Sequence, residues 1–254
     1  DLHLSYIILA TICVVASGYL INDFYDAKLD RINRPLKARI DNYVRQSTKL
    51  KLYFILNFIG VVFGFLISAR AALFFAIYIF AIWCYSHKLK KYPLLGVLSA
   101  TMLTILPFFA VFVYFKNFSS IIFMHASFLF LVIMIRELLK DLQSMKGAVI
   151  HNYDTFPIVY GEKKTKLVCL FLLTLTVFPI VILFSFPALS YMRYYFYIAF
   201  IVFFFLGIYL WKSSELKHYR MMHNVLKILL LIGVFSIIFI DTSLLVEKVI
   251  DRLH

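Results

Sequence analysis

Apolar residues in this chain come in long unbroken runs, and polar residues are gathered between them. Runs near the 17–25 residues that cross a bilayer as a helix fall at roughly 4–22, 50–69, 71–86, 94–115, 119–136, 165–187, 191–211 and 225–246. Only Arg70 parts the second run from the third, which predicts either a tight hairpin or one broken unit. The runs are continuous, not short and alternating, and this excludes a transmembrane β-barrel. Tyr191, Tyr194 and Tyr195 cluster at the end of one run, as interfacial anchors do. The pattern predicts an all-α fold, a polytopic transmembrane helical bundle of about eight spans.

Composition agrees with the pattern. Hydrophobic residues make up 63% of the 254, and the mean hydropathy is +0.89, whereas a soluble domain is only about half apolar. With no Gly- or Ser/Pro-rich linker, low-complexity tract or internal repeat, the expectation is a single membrane domain over residues 1–254. The first residue is Asp1, and no charged leader with a cleavage site precedes the first run. The simplest expectation is a chain that lacks its original N-terminus. Cys13, Cys84 and Cys169 lie inside apolar runs without a CxxC pair, and read as buried thiols. The seven histidines are scattered with no HExxH spacing, which argues against zinc.

Charge sets the orientation. Eight spans put the connections 23–49, 87–93, 137–164 and 212–224 on one side of the membrane. Of the 26 Lys and Arg residues, all except Arg70, Lys116, Arg193, Lys248 and Arg252 lie in or beside these connections. The positive-inside rule makes that side cytoplasmic. The expected setting is therefore multi-pass in an inner or cytoplasmic membrane, with the bilayer as partner. The net charge of +13 does not point to nucleic acid, because the basic residues hug the span ends. There they serve either anionic headgroups or an anionic substrate.

The 13 acidic residues separate those roles. Three of them fall in Asn22-Asp23-Phe24-Tyr25-Asp26-Ala27-Lys28-Leu29-Asp30, at the cytoplasmic end of the first span. On a helix Asn22, Asp26 and Asp30 recur every four residues, and Asp23 stands three before Asp26, so one face carries several carboxylates. Their mutual repulsion calls for a cation. Mg²⁺ suits oxygen ligands and commonly bridges carboxylates to substrate phosphates. Arg31, Arg34, Lys37 and Arg39 follow and are suited to the remaining phosphate charge. The alternative is a set of solvated loop charges.

Asn22-Asp-x-x-Asp26-x-x-x-Asp30 followed by Arg31-Ile-Asn33-Arg34-Pro35 resembles the first signature of the UbiA superfamily of intramembrane prenyltransferases. Tyr85-Ser86-His87-Lys88-Leu89-Lys90-Lys91 resembles that family's basic loop. Arg136-Glu137-Leu138-Leu139-Lys140-Asp141-Leu142 through Lys146-Gly147, then Asn152-Tyr153-x-Thr155-x-Pro157-x-x-x-Gly161, resembles its second signature. The family typically has nine helices around a central lipid-accessible cavity, with both signatures at its cytoplasmic mouth. By that resemblance the eight spans are helices two to nine, with the first missing. The resemblance implies Mg²⁺-dependent transfer of a polyprenyl group from a prenyl diphosphate to a membrane-soluble lipophilic or aromatic acceptor. It further implies catalytic roles for Asp23, Asp26, Asp30 and Asp141. Those four and Glu137 would hold metal, and Asn22, Arg31, Arg34, Lys88, Lys90, Arg136 and Lys140 would bind the diphosphate.

The second signature is thinned. Where the family usually repeats Asp after Asp141, this chain has Ser144 and Ala148; Gln143 stands where Glu is common, Asp154 replaces a basic residue, and Val97 follows Gly96 where Asn is common. Glu137 and Asp141 also fit an exposed helix end with Lys140 as salt-bridge partner. Three other functions are therefore weighed: a membrane terpene cyclase, a silent prenyl-diphosphate binder and a transporter. Transport is disfavoured, because no span carries an isolated mid-depth charge and Asp241 lies near the end of the last one.

Overall fold

A computed structural model describes residues 2–114 and 119–240. Among these residues the regular structure is entirely helical. The helices are α1 (Leu2–Asn33), α2 (Pro35–Asp41), α3 (Gln46–Ile67), α4 (Ala69–His87), α5 (Pro93–Tyr114), α6 (Ser120–Ile150), α7 (Phe156–Tyr160), α8 (Glu162–Leu175), α9 (Val177–Phe184), α10 (Arg193–Lys212) and α11 (Leu216–Ser236). Single 3₁₀ turns occupy Leu89–Lys91 and Ile237–Phe239, and Pro187–Met192 is a kinked 3₁₀ segment with Ser190 at φ +42°.

Eight segments are long and apolar enough to cross a membrane, one for each run in the sequence. The protein is an integral multi-pass membrane protein. Two spans extend well past their apolar runs. The 32 residues of α1 rise about 48 Å at 1.5 Å per residue, against a hydrocarbon core of about 30 Å. The 31-residue α6 is almost as long. Each carries one charged signature on its extension. The ends of the runs 94–115 and 225–246, with Lys116, Asp241, Lys248 and Arg252, lie outside the described residues.

The chain divides into two compact units. Among the described residues, the first comprises 2–114 and 144–159, the second 119–143 and 160–240. In the first, α1 packs on α3 and α4 around Ala10, Val14, Ile21, Tyr53, Phe75, Tyr78 and Ile82. The Ser17 hydroxyl donates to Asn57 Oδ1 at 2.5 Å within this apolar seam, a polar link of the kind that joins membrane helices. The segment around Arg70 is a hairpin. Ser68 leaves helical geometry at φ −172° and its hydroxyl caps α4 by accepting from Ala71 N–H at 3.1 Å. Gly64 makes the close approach possible, since a Cβ there would stand 2.9 Å from Ala72 Cα.

In the second unit Phe128 stacks edge-on against Phe196 with ring centroids 5.2 Å apart, and Leu183, Leu189 and Leu226 are fully buried. At the polar end of α8, Glu162 accepts from the buried Tyr219 hydroxyl at 2.6 Å and pairs with Lys166 at 2.8 Å.

Candidate active site

The first signature is helical because nothing between Asn22 and Asn33 breaks a helix. The break comes at Arg34, which precedes Pro35 and adopts φ −142°, since a residue before proline is pushed out of the α region. Pro35 then opens α2 at its first turn, where its missing N–H costs nothing. This fold-back returns Lys37 to the face of α1. Its Nζ donates to Asp23 at 2.7 Å and to Asp30 at 2.9 Å, and lies 3.9 Å from Asp41. Oxygens of Asp23, Asp30 and Asp41 lie within 4.8 Å of one another. Burial opposes the Lys37 charge, but the hydrogen bonds and charges of Asp23 and Asp30 outweigh it and hold the ammonium above its ordinary pKa.

Asp26 faces a different partner. Asn22 donates to one of its oxygens at 2.9 Å and Lys90 to the other at 2.6 Å. The Lys90 side chain is only 7% exposed, so this is a nearly dry ion pair. Lys90 arrives on the 3₁₀ turn after α4, and α5 packs close beneath because residue 96 is glycine; a Cβ there would meet the Lys90 carbonyl oxygen at 3.1 Å. Lys91 lies over the Tyr153 ring, 5.3 Å from its centroid. Burial, with the Asp26 charge behind it, raises the Tyr153 phenol above its usual pKa.

Asn33 ties the first signature to the last part of the second. Its Oδ1 accepts from Gly147 N–H at 3.0 Å and its Nδ2 donates to the Ser144 carbonyl at 3.1 Å. The end of α6 then turns through Asn152, whose φ of +54° is the left-handed conformation asparagine tolerates at a helix C-terminus.

In the second unit, Glu137 is buried, bound by Lys140 one turn on and lying 3.6 Å from Arg136. Lys140 is thus its salt-bridge partner, but at a buried position and not at an exposed helix end. His223 from α11 comes within 3.3 Å of the Arg136 carbonyl oxygen through Nδ1. Asp141 is half-buried on the same face of α6.

The expected residues therefore fall into three groups. Asp23 and Asp30 come together with Asp41; Asn22 and Asp26 with Lys90; Glu137 with Arg136 and Lys140. Arg31 and Lys88 are exposed and Arg34 is half-buried. Asp41 and His223 were not apparent as site residues from the sequence. For Asp41 the available signal is its position four residues after Lys37, beyond the proline break. Among the described residues, Asp23, Asp30 and Asp41 are the one group of three His, Cys, Asp or Glu side chains close enough to share a metal ion. Its donors are hard carboxylate oxygens already gathered around a cation, and they fit Mg²⁺.

An all-helical membrane fold with this carboxylate site defines a class of intramembrane proteins with a charged site at the span ends. The UbiA prenyltransferase family model matches residues 1–235, and the chain belongs to that family. It is 30% identical over 173 residues to the digeranylgeranylglyceryl phosphate synthase of Methanosphaera stadtmanae, covering 67% of this chain and 63% of that protein. The same enzyme of Methanobrevibacter smithii is 30% identical over 182 residues, covering 68% and 64%. The matched stretch thus spans just under two thirds of these relatives. A solved digeranylgeranylglyceryl phosphate synthase structure superposes with TM-score 0.69 at 26% identity, over 95% of this chain and 86% of that one. The fold is also that of a UbiA homolog from Archaeoglobus fulgidus bound to DMAPP and Mg²⁺, with TM-score 0.66, 14% identity, and 92% and 87% covered.

Proposed function

We propose that this protein transfers a polyprenyl group from a prenyl diphosphate to a glyceryl phosphate lipid, in a Mg²⁺-dependent reaction at the cytoplasmic face of its membrane. The observation that carries the reading is the carboxylate cluster of Asp23, Asp30 and Asp41 on the span-end extension of α1 and on α2. Likeness to digeranylgeranylglyceryl phosphate synthases supports the acceptor class. The crowding of Lys and Arg on that side of the spans supports the cytoplasmic face. The family model runs through both units, which supports one functional domain.

Asp23 and Asp30, with Asp41, would hold Mg²⁺, which when bound neutralises the diphosphate and eases its departure. Lys90 is fixed by Asp26 with its charge at the span end, suited to a phosphate oxygen as negative charge develops there. Asn22 orients Asp26 from the other side. The allylic C–O bond breaks and its electron pair leaves with the diphosphate. The acceptor's hydroxyl oxygen then bonds to the same carbon and releases its proton. On their match to the second signature alone, we assign Arg136 and Lys140 to phosphate binding and Glu137 and Asp141 to metal binding. Ser144 and Ala148 supply no carboxylate to that signature, so the first carries the greater share of metal binding.

The experiment incubates purified protein with Mg²⁺, radiolabelled geranylgeranyl diphosphate and either a glyceryl phosphate lipid or an aromatic acceptor. Labelled product on the glyceryl phosphate lipid is the expected result. Product without any acceptor would indicate a cyclase, and binding without turnover a silent binder.

A further inference from the structure

We propose that Lys37 is the resident counter-ion of the metal seat, that Asp41 is its third carboxylate, and that a divalent metal enters by displacing the Lys37 ammonium. The proposal rests on the Mg²⁺-dependent reading above.

The Lys37 ammonium sits among Asp23, Asp30 and Asp41, at 2.7, 2.9 and 3.9 Å. Carboxylate oxygens within 4.8 Å of one another leave room for one cation between them. An ammonium and Mg²⁺ both seek such oxygens and repel one another, so the two compete for the same position. The contraction required is small. Oxygens at 2.7 and 2.9 Å from the nitrogen need to close by about 0.7 Å to reach the roughly 2.1 Å of Mg²⁺ coordination.

Charge explains why a resident cation is needed. Without one, three carboxylates face each other, one of them, Asp30, buried at 8% exposure. A buried charge stripped of its partner is strongly unfavourable. Lys37 offsets one of the three charges, whereas a divalent ion offsets two, so metal still has a driving force to enter. The side chain is built to leave. Lysine is a point charge on a flexible stem, where arginine would grip as a planar fork. Lys37 is also 38% exposed, so the displaced ammonium has water beside it. Lys90 differs in this respect: at 7% exposure it is a fixed partner for Asp26.

The test is substrate-free. Mn²⁺ binding to the full chain in detergent is measured by electron paramagnetic resonance, with Mg²⁺ as competitor, for wild type, Lys37→Met, Lys37→Arg and Asp41→Asn. Removing the competing charge should tighten Mn²⁺ binding in Lys37→Met by about tenfold or more. Its thermal midpoint should fall in EDTA and recover with Mg²⁺. Asp41→Asn should bind several-fold more weakly, and Lys37→Arg no more tightly than wild type. Unchanged or weaker binding in Lys37→Met, with wild type binding metal, overturns this proposal alone. Binding by neither protein overturns it together with the Mg²⁺-dependent function. Where Lys37→Met does not fold without metal, Lys37→Arg carries the test, and tighter binding by that variant overturns the proposal.

Discussion

The Asn33 side-chain amide reads the backbone of α6 at two points, accepting from Gly147 N–H at 3.0 Å and donating to the Ser144 carbonyl at 3.1 Å. This fixes where the first signature ends. It also explains the glycine, since a Cβ at residue 147 would fall 2.5–2.8 Å from the Asn33 amide atoms. Gly147→Ala should expel that amide and destabilise the protein by about 2 kcal/mol, the cost of leaving such groups unpaired. Asn33→Ala should cost a similar amount. The double variant should be little worse than either single one, because both remove the same contact. Thermal denaturation of the four proteins in detergent checks this.

The Lys90–Asp26 pair separates stability from function. Lys90→Met leaves Asp26 without its ammonium and should cost about 3 kcal/mol, as removal of one partner from a buried pair does. Lys90→Met with Asp26→Asn should regain most of that stability but none of the activity, because the diphosphate has lost its cation. Denaturation midpoints and prenyl-transfer rates on the same samples give both readouts.

Restoring carboxylates to the second signature should have different effects at its two positions. Ser144 is half-buried, and Ser144→Asp should fold and lower the Mg²⁺ concentration needed for half-maximal transfer. Ala148 is 1% exposed, so Ala148→Asp buries a charge and should lower the thermal midpoint by several degrees. Identical metal titrations for wild type and Ser144→Asp would place residue 144 away from the metal.

Asp154 is exposed and stands where the family pattern has a basic residue. Asp154→Ala should change diphosphate affinity by less than about twofold, since surface substitutions away from special features are usually neutral. Binding of a non-hydrolysable prenyl diphosphate analogue tests it, and a tenfold change would bring Asp154 into the site.

All eight spans were legible in the sequence, because hydrocarbon thickness imposes an apolar length that is hard to mistake. The helix ends were less so. Residues 23–33 and 137–150 are charged and read as connections, yet they continue α1 and α6 because no breaker intervenes before Pro35 or Asn152. The carboxylates of the first signature were visible from their helical spacing. How they divide was not: Asp23 and Asp30 turn to Lys37, and Asp26 to Lys90. That division depends on the fold-back at Arg34–Pro35 and on the turn carrying Lys90, which are tertiary features. Asp41 escaped notice for the same reason, and His223 because nothing in the connection 212–224 marks it.

The proposed site binds a prenyl diphosphate through Mg²⁺ held by the carboxylates of the first signature. Isothermal titration of a non-hydrolysable geranylgeranyl diphosphate analogue, with Mg²⁺ and with EDTA, into wild type, Asp26→Ala and Asp30→Ala tests it most directly. Wild type is expected to bind only when Mg²⁺ is present, and both variants to lose that binding. Affinity unchanged by EDTA, or retained in Asp30→Ala, would contradict it.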